Sequence, residues 1–343
     1  RPRRSFLKAT PPRTAAGAKK GMTHASAPGK IILFGEHAVV YGQPALAVPV
    51  NQVHADAEVF DADRAGIWVN APDIRLHAEH SRLALDDALA ATISMVCSAL
   101  SIDFSRRVLP TEAISFSKGE TASQKNTRRV MPNGIEIKVT STIPLASGLG
   151  SGAAVSVAII RALSAHLGQP FTDEQVNEIA YEVEKIHHGT PSGIDNTVVT
   201  YGKPIFFIKE KPIELLRVAK PFTIIIGDTG IPAPTKESVG DVRKLWEQDK
   251  RKMEILFGVA GSLAKTARQA IEGGHPEYLG PLMNENQRVL TEMGVSSPEL
   301  DRLGEASLKS GASGAKLSGG GRGGNMIALS TKENAPTIVE ALY

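Results

Sequence analysis

The sequence predicts an α+β protein of two domains, on three observations. At 343 residues the chain is long for a single hydrophobic core. Strand-like runs crowd its first eighty residues and return near 135, 223 and 314. In the second half Met253, Leu256, Ala260, Leu263, Ala267 and Ala270 step by 3, 4, 3, 4 and 3, the seam of a helix packed on a neighbour. The expected domains are 22–221 and 222–343, the second opening near Phe222, after a disordered basic extension at 1–21.

Each element follows from its own pattern. Ile31 to Phe34 reads as a buried strand broken by Gly35, and a second run spans Ala45 to Val50, with Glu36, His37 and Tyr41 in the connection. Val53, Ala55, Ala57 and Val59 alternate, and 66–78 carries a broken strand pattern. Leu85, Leu89, Ile93, Val96 and Leu100 have helical spacing and suggest a core helix over 81–100. Residues 115–134 have no period and read as an exposed loop, with Arg128 and Arg129 as solvated charges. A strand over 135–140 then meets Pro144-Leu-Ala-Ser-Gly-Leu-Gly-Ser-Gly-Ala-Ala154 and an apolar helix to Leu167.

Thr172-Asp-Glu-Gln175 is a capping box, and Val176, Ile179, Ala180 and Val183 make one face of the helix it starts. That helix ends at Gly189, and Asp195 stands at the exit of the next turn, ahead of a strand run from Thr197 to Thr200. Beyond the 223–227 strand and the long helix, helical patterns cover 276–293 and 298–309. Two strands then flank six residues, Gly319 to Gly324, of which five are glycine. The chain stops at Tyr343 inside a helical pattern, so a last strand is expected to be missing, and the absent initiator methionine also suggests a fragment.

Composition narrows the function. The net charge of +3 is carried by the first 21 residues, which hold seven basic side chains and no acid; the remainder has 32 basic against 36 acidic residues. A mildly acidic body argues against nucleic acid as a partner. No run of about 18 apolar residues offers a transmembrane helix, so no membrane is expected. Arg3-Arg4-Ser5-Phe6-Leu7-Lys8 looks like a twin-arginine export motif, but Pro11, Pro12 and Arg13 follow where an apolar segment would be needed. The single cysteine, Cys97, reads as a small core residue and fits a reducing cytoplasm.

The chemistry starts at 144–154. A strand, a Gly/Ser turn and a helix start make an anion cradle, in which N–H groups converge and the helix dipole adds positive charge. Five glycines in the 319–324 loop imply close approach of another group to that backbone. Glu184 lies near a helix C-terminus, where a carboxylate needs a partner, either a surface salt bridge or a cation in a cleft. His77 and His80 have no third metal ligand in view and read as a polar strand end.

Together these stretches resemble one family. Residues 27–49, 144–154 and 314–329 look like the three motifs of the GHMP small-molecule kinases, in that family's order. Gly29-Lys-Ile-Ile-Leu-Phe-Gly-Glu-His-Ala-Val-Val-Tyr-Gly42 and His188-Gly-Thr-Pro-Ser-Gly-Ile-Asp-Asn196 are similar to the mevalonate kinase branch. The resemblance implies a GHMP kinase fold: an N-terminal domain like ribosomal protein S5 domain 2 and a ferredoxin-like C-terminal domain. It implies ATP and Mg²⁺ as cofactors and mevalonate as the small-molecule substrate.

On this chain the resemblance assigns the ATP phosphates to Pro144, Ala146, Ser147, Gly148, Leu149, Gly150, Ser151 and Gly152. It assigns Mg²⁺ to Glu184 and Ser151, the catalytic base to Asp195 and its charge partner to Lys30. Substrate contacts fall on Glu36, His37, Ser192, Gly193, Thr235, Gly320 and Gly321. Homodimers and feedback inhibition by prenyl diphosphates are further family traits. Two positions depart from the pattern. Gly152 stands where a magnesium-holding serine is usual, so Ser147 or Ser151 substitutes or the metal relies on Glu184 and water. Arg322 interrupts the third glycine motif and is expected to point to solvent rather than to a carboxylate or phosphate. The alternatives are a kinase of this fold for another alcohol (phosphomevalonate, or another hydroxyl of mevalonate) and a non-catalytic regulator.

Overall fold

A computed structural model of the chain describes residues 21–84, 86–102, 134–188, 191–233 and 235–343. The expected loop at 115–133, with Arg128 and Arg129, lies outside the described residues, as do residues 1–20 of the basic extension. Strands β1 (Met22–Phe34) and β2 (Ala45–Ala62) form a long antiparallel ribbon. The two runs read separately at 45–50 and 53–60 are one strand of 18 residues. Register shifts between Pro28 and Gly29, beside the one residue type with no N–H for the ladder. Strands β3 (Ile67–Ala71), β4 (Leu76–Glu79), β5 (Gly134–Ser141), β6 (Ile205–Phe207) and β7 (Glu214–Leu215) complete a seven-stranded sheet. Its order is β4-β3-β5-β2-β6-β7, with β1 paired to β2.

Four helices cover this sheet: α1 (Ala88–Ala99), α2 (Ser151–His166), α3 (Asp173–His188) and α4 (Ile194–Tyr201). Helix α2 lies on β1 and β2 and is flanked by the other three. Helix α1 starts later than its apolar spacing suggested because Asp87 caps it, accepting from Leu89 and Ala90 N–H at 2.9 and 3.1 Å. The capping box of α3 forms as read: Thr172 N–H donates to Gln175 Oε1 at 3.0 Å and Gln175 N–H to Thr172 Oγ1 at 3.4 Å. Cys97 is buried in α1, and burial pushes its thiol up, away from reactivity.

The strand expected at 197–200 is instead the body of α4. Its β-branched residues favour strand locally, but Ile194 and Val198 are four apart and both buried against the helix layer. Thr197 Oγ1 donates to the Gly193 carbonyl at 2.6 Å, a bond that suits threonine to a helix. Packing outweighs propensity here.

The second half begins with β8 (Thr223–Asp228), followed by α5 (Thr235–Gln248), α6 (Lys250–Gly273), α7 (Leu279–Glu292) and α8 (Pro298–Lys309). Strands β9 (Gly314–Ser318) and β10 (Asn325–Ser330) enclose the six-residue glycine loop where the sequence placed it, and α9 (Ala335–Ala341) follows. The three strands pair antiparallel in the order β8-β10-β9. Helix α6 carries the 3-4 seam and serves two cores: Met253, Leu256 and Phe257 pack with Met326 and Ile338, while Ala264, Ala267 and Ile271 join the core under the large sheet.

Strand β9 is an edge, and α7 closes it with side chains. Ala315 N–H donates to Asn284 Oδ1 at 3.0 Å and Leu317 N–H to Gln287 Oε1 at 2.8 Å. Replacing Gln287 by leucine orphans the N–H of Leu317, whose residue is fully buried. We expect Gln287→Leu to lower unfolding stability by roughly 1–3 kcal/mol in urea titration. An unchanged midpoint would show that the edge needs no cap.

Candidate active site

Three alternate residues of β9 and its loop, Lys316, Ser318 and Gly320, reach across to β1 and the turn after it. Lys316 Nζ donates to Glu36 Oε1 and, at 2.6 Å, to its neighbour's carbonyl, Leu317 O. Ser318 Oγ accepts from Ile32 N–H at 3.0 Å and donates to Ile32 O at 2.9 Å. The Gly320 carbonyl accepts from His37 Nε2 at 3.0 Å. This seam brings the Gly/Ser turn and the glycine loop together. Asn325 Nδ2 donates to Ser147 O, and the Ala233 N–H donates to Ala146 O at 2.8 Å.

Between them opens a cleft of about 440 Å³, whose walls include Lys30, His37, Ser151, Glu184, Asp195 and Thr235. Lys30 leaves β1 with its N–H on Leu149 O at 2.9 Å. Its side chain then runs over Gly150, where a Cβ would stand only 2.7 Å from Lys30 Cγ, and ends 2.9 Å from Asp195 Oδ2. Gly150 also has φ of 76° at the start of α2, so this position needs glycine on both counts. Asp195 sits in the first turn of α4, where the helix dipole favours a carboxylate.

Most residues singled out in the sequence converge. Ala146, Ser147, Gly148, Gly150, Ser151, Gly152, Ser192 and Gly320 also line the cleft. Pro144 and Leu149 stand behind it, their carbonyls accepting from Ser147 Oγ at 2.9 Å and from Lys30 N–H. Gly193 is the left-handed N-cap of α4, and Gly321 is wedged beneath the loop against Val295. Glu36 is turned away: its carboxylate is paired with Lys316, both side chains 0% exposed. Burial drives each of the pair toward its neutral form and their mutual attraction opposes it. Lys316 went unread in the sequence; a lysine inside an otherwise apolar strand was the available signal. Arg322 is not on the cleft wall; its guanidinium, about a third exposed, is bonded to Asp241 and the Gly294 carbonyl. His77 and His80 are engaged with Arg64 and with Ala90 O and Ser94, and no acidic or histidine cluster suited to a metal appears among the described residues.

Glu184 and Asp195 both feel the Lys30 ammonium, and the wall also carries Lys236 and Glu237. Burial first, and then the Asp195 charge, pushes the Glu184 carboxyl up to about 8, with Lys30 pulling the other way. His37 is held neutral: burial lowers it to about 4, assisted by the Arg322 charge and opposed by its bond to Gly320. Because a carbonyl only accepts, Nε2 carries the ring hydrogen, and Nδ1 is a buried acceptor without a partner among the described residues. His37 also has φ of 59°, in the left-handed region.

This histidine makes stability pH-dependent in a defined window. Above about pH 6.5 both folded and unfolded states carry it neutral. Between 6.5 and 4 only the unfolded chain takes the proton, so stability falls as pH falls, by about 3 kcal/mol in full. Asparagine tolerates the same backbone. We expect the wild type to lose stability relative to His37→Asn between pH 7 and pH 4.5, measured by chemical denaturation; parallel loss in both would mean that His37 titrates normally.

Comparison with known proteins agrees with this geometry. The family model described as "GHMP kinases N terminal domain" matches residues 115–203, spanning the cradle and Asp195, and "GHMP kinases C terminal" matches 267–343, spanning the glycine loop. A mevalonate kinase of Thermococcus sibiricus is 36% identical over 317 residues, covering 91% of this chain and 90% of that one. Its Pyrococcus furiosus counterpart is 35% identical, covering 89% and 88%. Among solved structures, L. major mevalonate kinase in complex with R-mevalonate superposes with a TM-score of 0.74 at 28% identity, covering 93% of this chain and 90% of that one. The chain belongs to the GHMP kinases, within their mevalonate kinase family.

Proposed function

We propose that this chain transfers the γ-phosphoryl group of ATP to the primary hydroxyl of (R)-mevalonate, giving 5-phosphomevalonate and ADP for isoprenoid synthesis. The observation that carries the reading is the Lys30–Asp195 pair, 2.9 Å apart in a cleft between two glycine loops. As the substrate oxygen forms its bond to phosphorus and the bond to the ADP oxygen breaks, Asp195 takes the hydroxyl proton. Lys30 balances the charge that moves between them. The N–H groups at the start of α2 hold the phosphates. His37, Ser192, Thr235 and the Gly320 backbone, all on the cleft wall, contact the substrate. Glu36 acts from behind, as the partner of Lys316 that fixes the His37 turn.

The donor set suits Mg²⁺, which takes one or two carboxylates and fills its shell with phosphate oxygens and water. Glu184 supplies a carboxylate on the cleft wall, and Ser151 a hydroxyl at the cradle. When bound, the ion neutralises phosphate charge and activates the γ-phosphorus. Ser147 donates its hydroxyl hydrogen to Pro144 O, which makes Ser151 the better candidate. The proposal includes a domain division between 221 and 222, cytoplasmic residence, homodimer formation and inhibition by prenyl diphosphates.

Assay of a panel of alcohols with ATP tests the reading. Mevalonate is expected to be the preferred acceptor, with the phosphate on its primary hydroxyl; no turnover of mevalonate, or preference for phosphomevalonate, would sink it. Asp195→Asn and Lys30→Met should each lower kcat by about a hundredfold or more. A near-wild-type kcat for Asp195→Asn removes it as the base. Nothing lies within 4 Å of where a Cβ on Gly152 would stand, so a serine fits there. Gly152→Ser should lower the Mg²⁺ concentration for half-maximal activity, on the order of tenfold; unchanged Mg²⁺ dependence would place the metal away from this position.

A further inference from the structure

The glycine loop is packed tightly on its inner side. A Cβ on Gly321 would lie 2.0 Å from Val295 O, and one on Gly324 2.6 Å from Ser147 O. The loop's one side chain larger than hydrogen is Arg322, which adopts φ of 59°. A bulky residue keeps such a conformation only where its surroundings fix it. Here they do. The Arg322 N–H donates to Val295 O at 2.8 Å, Nη1 to Asp241 Oδ2 at 2.5 Å, and Nε and Nη2 both to Gly294 O at 3.3 Å. One side chain thus joins the loop, the turn after α7 and the middle of α5.

Helix α5 matters because its first residues, Thr235, Lys236 and Glu237, line the cleft. Opposite them is Gly320, where a Cβ would come within 2.9 Å of Thr235 Oγ1 and whose carbonyl holds His37. We propose that Arg322 is a positioning residue. Through Asp241 and the Gly294 carbonyl it braces the glycine loop against α5, and so fixes Gly320 and His37 relative to Thr235 across the substrate side of the cleft. A lone surface ion pair would do little. This one differs because four donors on one residue converge on three acceptors, and the left-handed backbone aims the side chain back over the loop.

The consequence for substrate rests on the kinase reading; the brace does not. The test uses Arg322→Asn, which keeps a residue tolerant of that backbone but cannot span to Asp241, together with Asp241→Ala, the double variant and Arg322→Lys. Amide exchange of 319–325 is followed in the ligand-free protein, and KM is measured separately for mevalonate and ATP. Each single variant is expected to speed loop exchange and to raise KM for mevalonate by about tenfold, with kcat and KM for ATP near wild type. The double variant should lose less than the sum of the singles, because both remove the Arg322–Asp241 contact. Arg322→Lys should recover part of the loss. Unchanged exchange and KM in both singles, or additive effects in the double, would overturn the brace. Should the wild type not phosphorylate mevalonate at all, the kinase reading fails, and loop exchange in the same variants still decides the brace.

Discussion

The structure depends on the seam between β1 and β9. Neither glycine loop makes a site alone; each is a turn whose N–H groups and carbonyls need something to face. Ser318 bonded to Ile32 both ways, Lys316 to Glu36, and Gly320 to His37 align the two turns across a gap of nearly three hundred residues in sequence. Asn325 on Ser147 then fixes the Gly/Ser turn from the far side. With both walls set, Lys30 and Asp195 meet in the space between.

The same seam explains the electrostatic character of the cleft. A fully buried ion pair contributes little net stability, because desolvation offsets attraction, but it is unforgiving of the loss of one partner. Lys316 and Glu36 therefore act as a registration device between two sheets. In the cleft itself burial first, and then the Asp195 charge, pushes the Glu184 carboxyl above the ordinary glutamate range.

Much of this was legible in the chain. The capping box at Thr172, the strand–turn–helix at 144–154 and the six-residue loop between β9 and β10 are local patterns, set by neighbours a few residues apart, and they fold as read. What could not be read depends on distant partners. Residues 197–200 look like a strand because threonine and valine favour one, and only the helix layer around them makes α4. Glu36 matched a substrate-contacting position by resemblance, yet its side chain turns to a lysine 280 positions on. Arg322 read as pointing to solvent, and its partner there, Asp241, is 81 residues away in sequence.

The Lys316–Glu36 pair also sets a condition on how the molecule comes into being. Synthesis delivers the carboxylate early and its counter-charge near the end, so for most of translation Glu36 has no ammonium to follow it into the interior. The first sheet can assemble around β1 and β2, but the turn carrying Glu36 and His37 must stay open to water until β9 emerges. The cleft thus cannot close before β9 is made, and a nascent chain lacking β9 holds a folded scaffold with an unfinished centre.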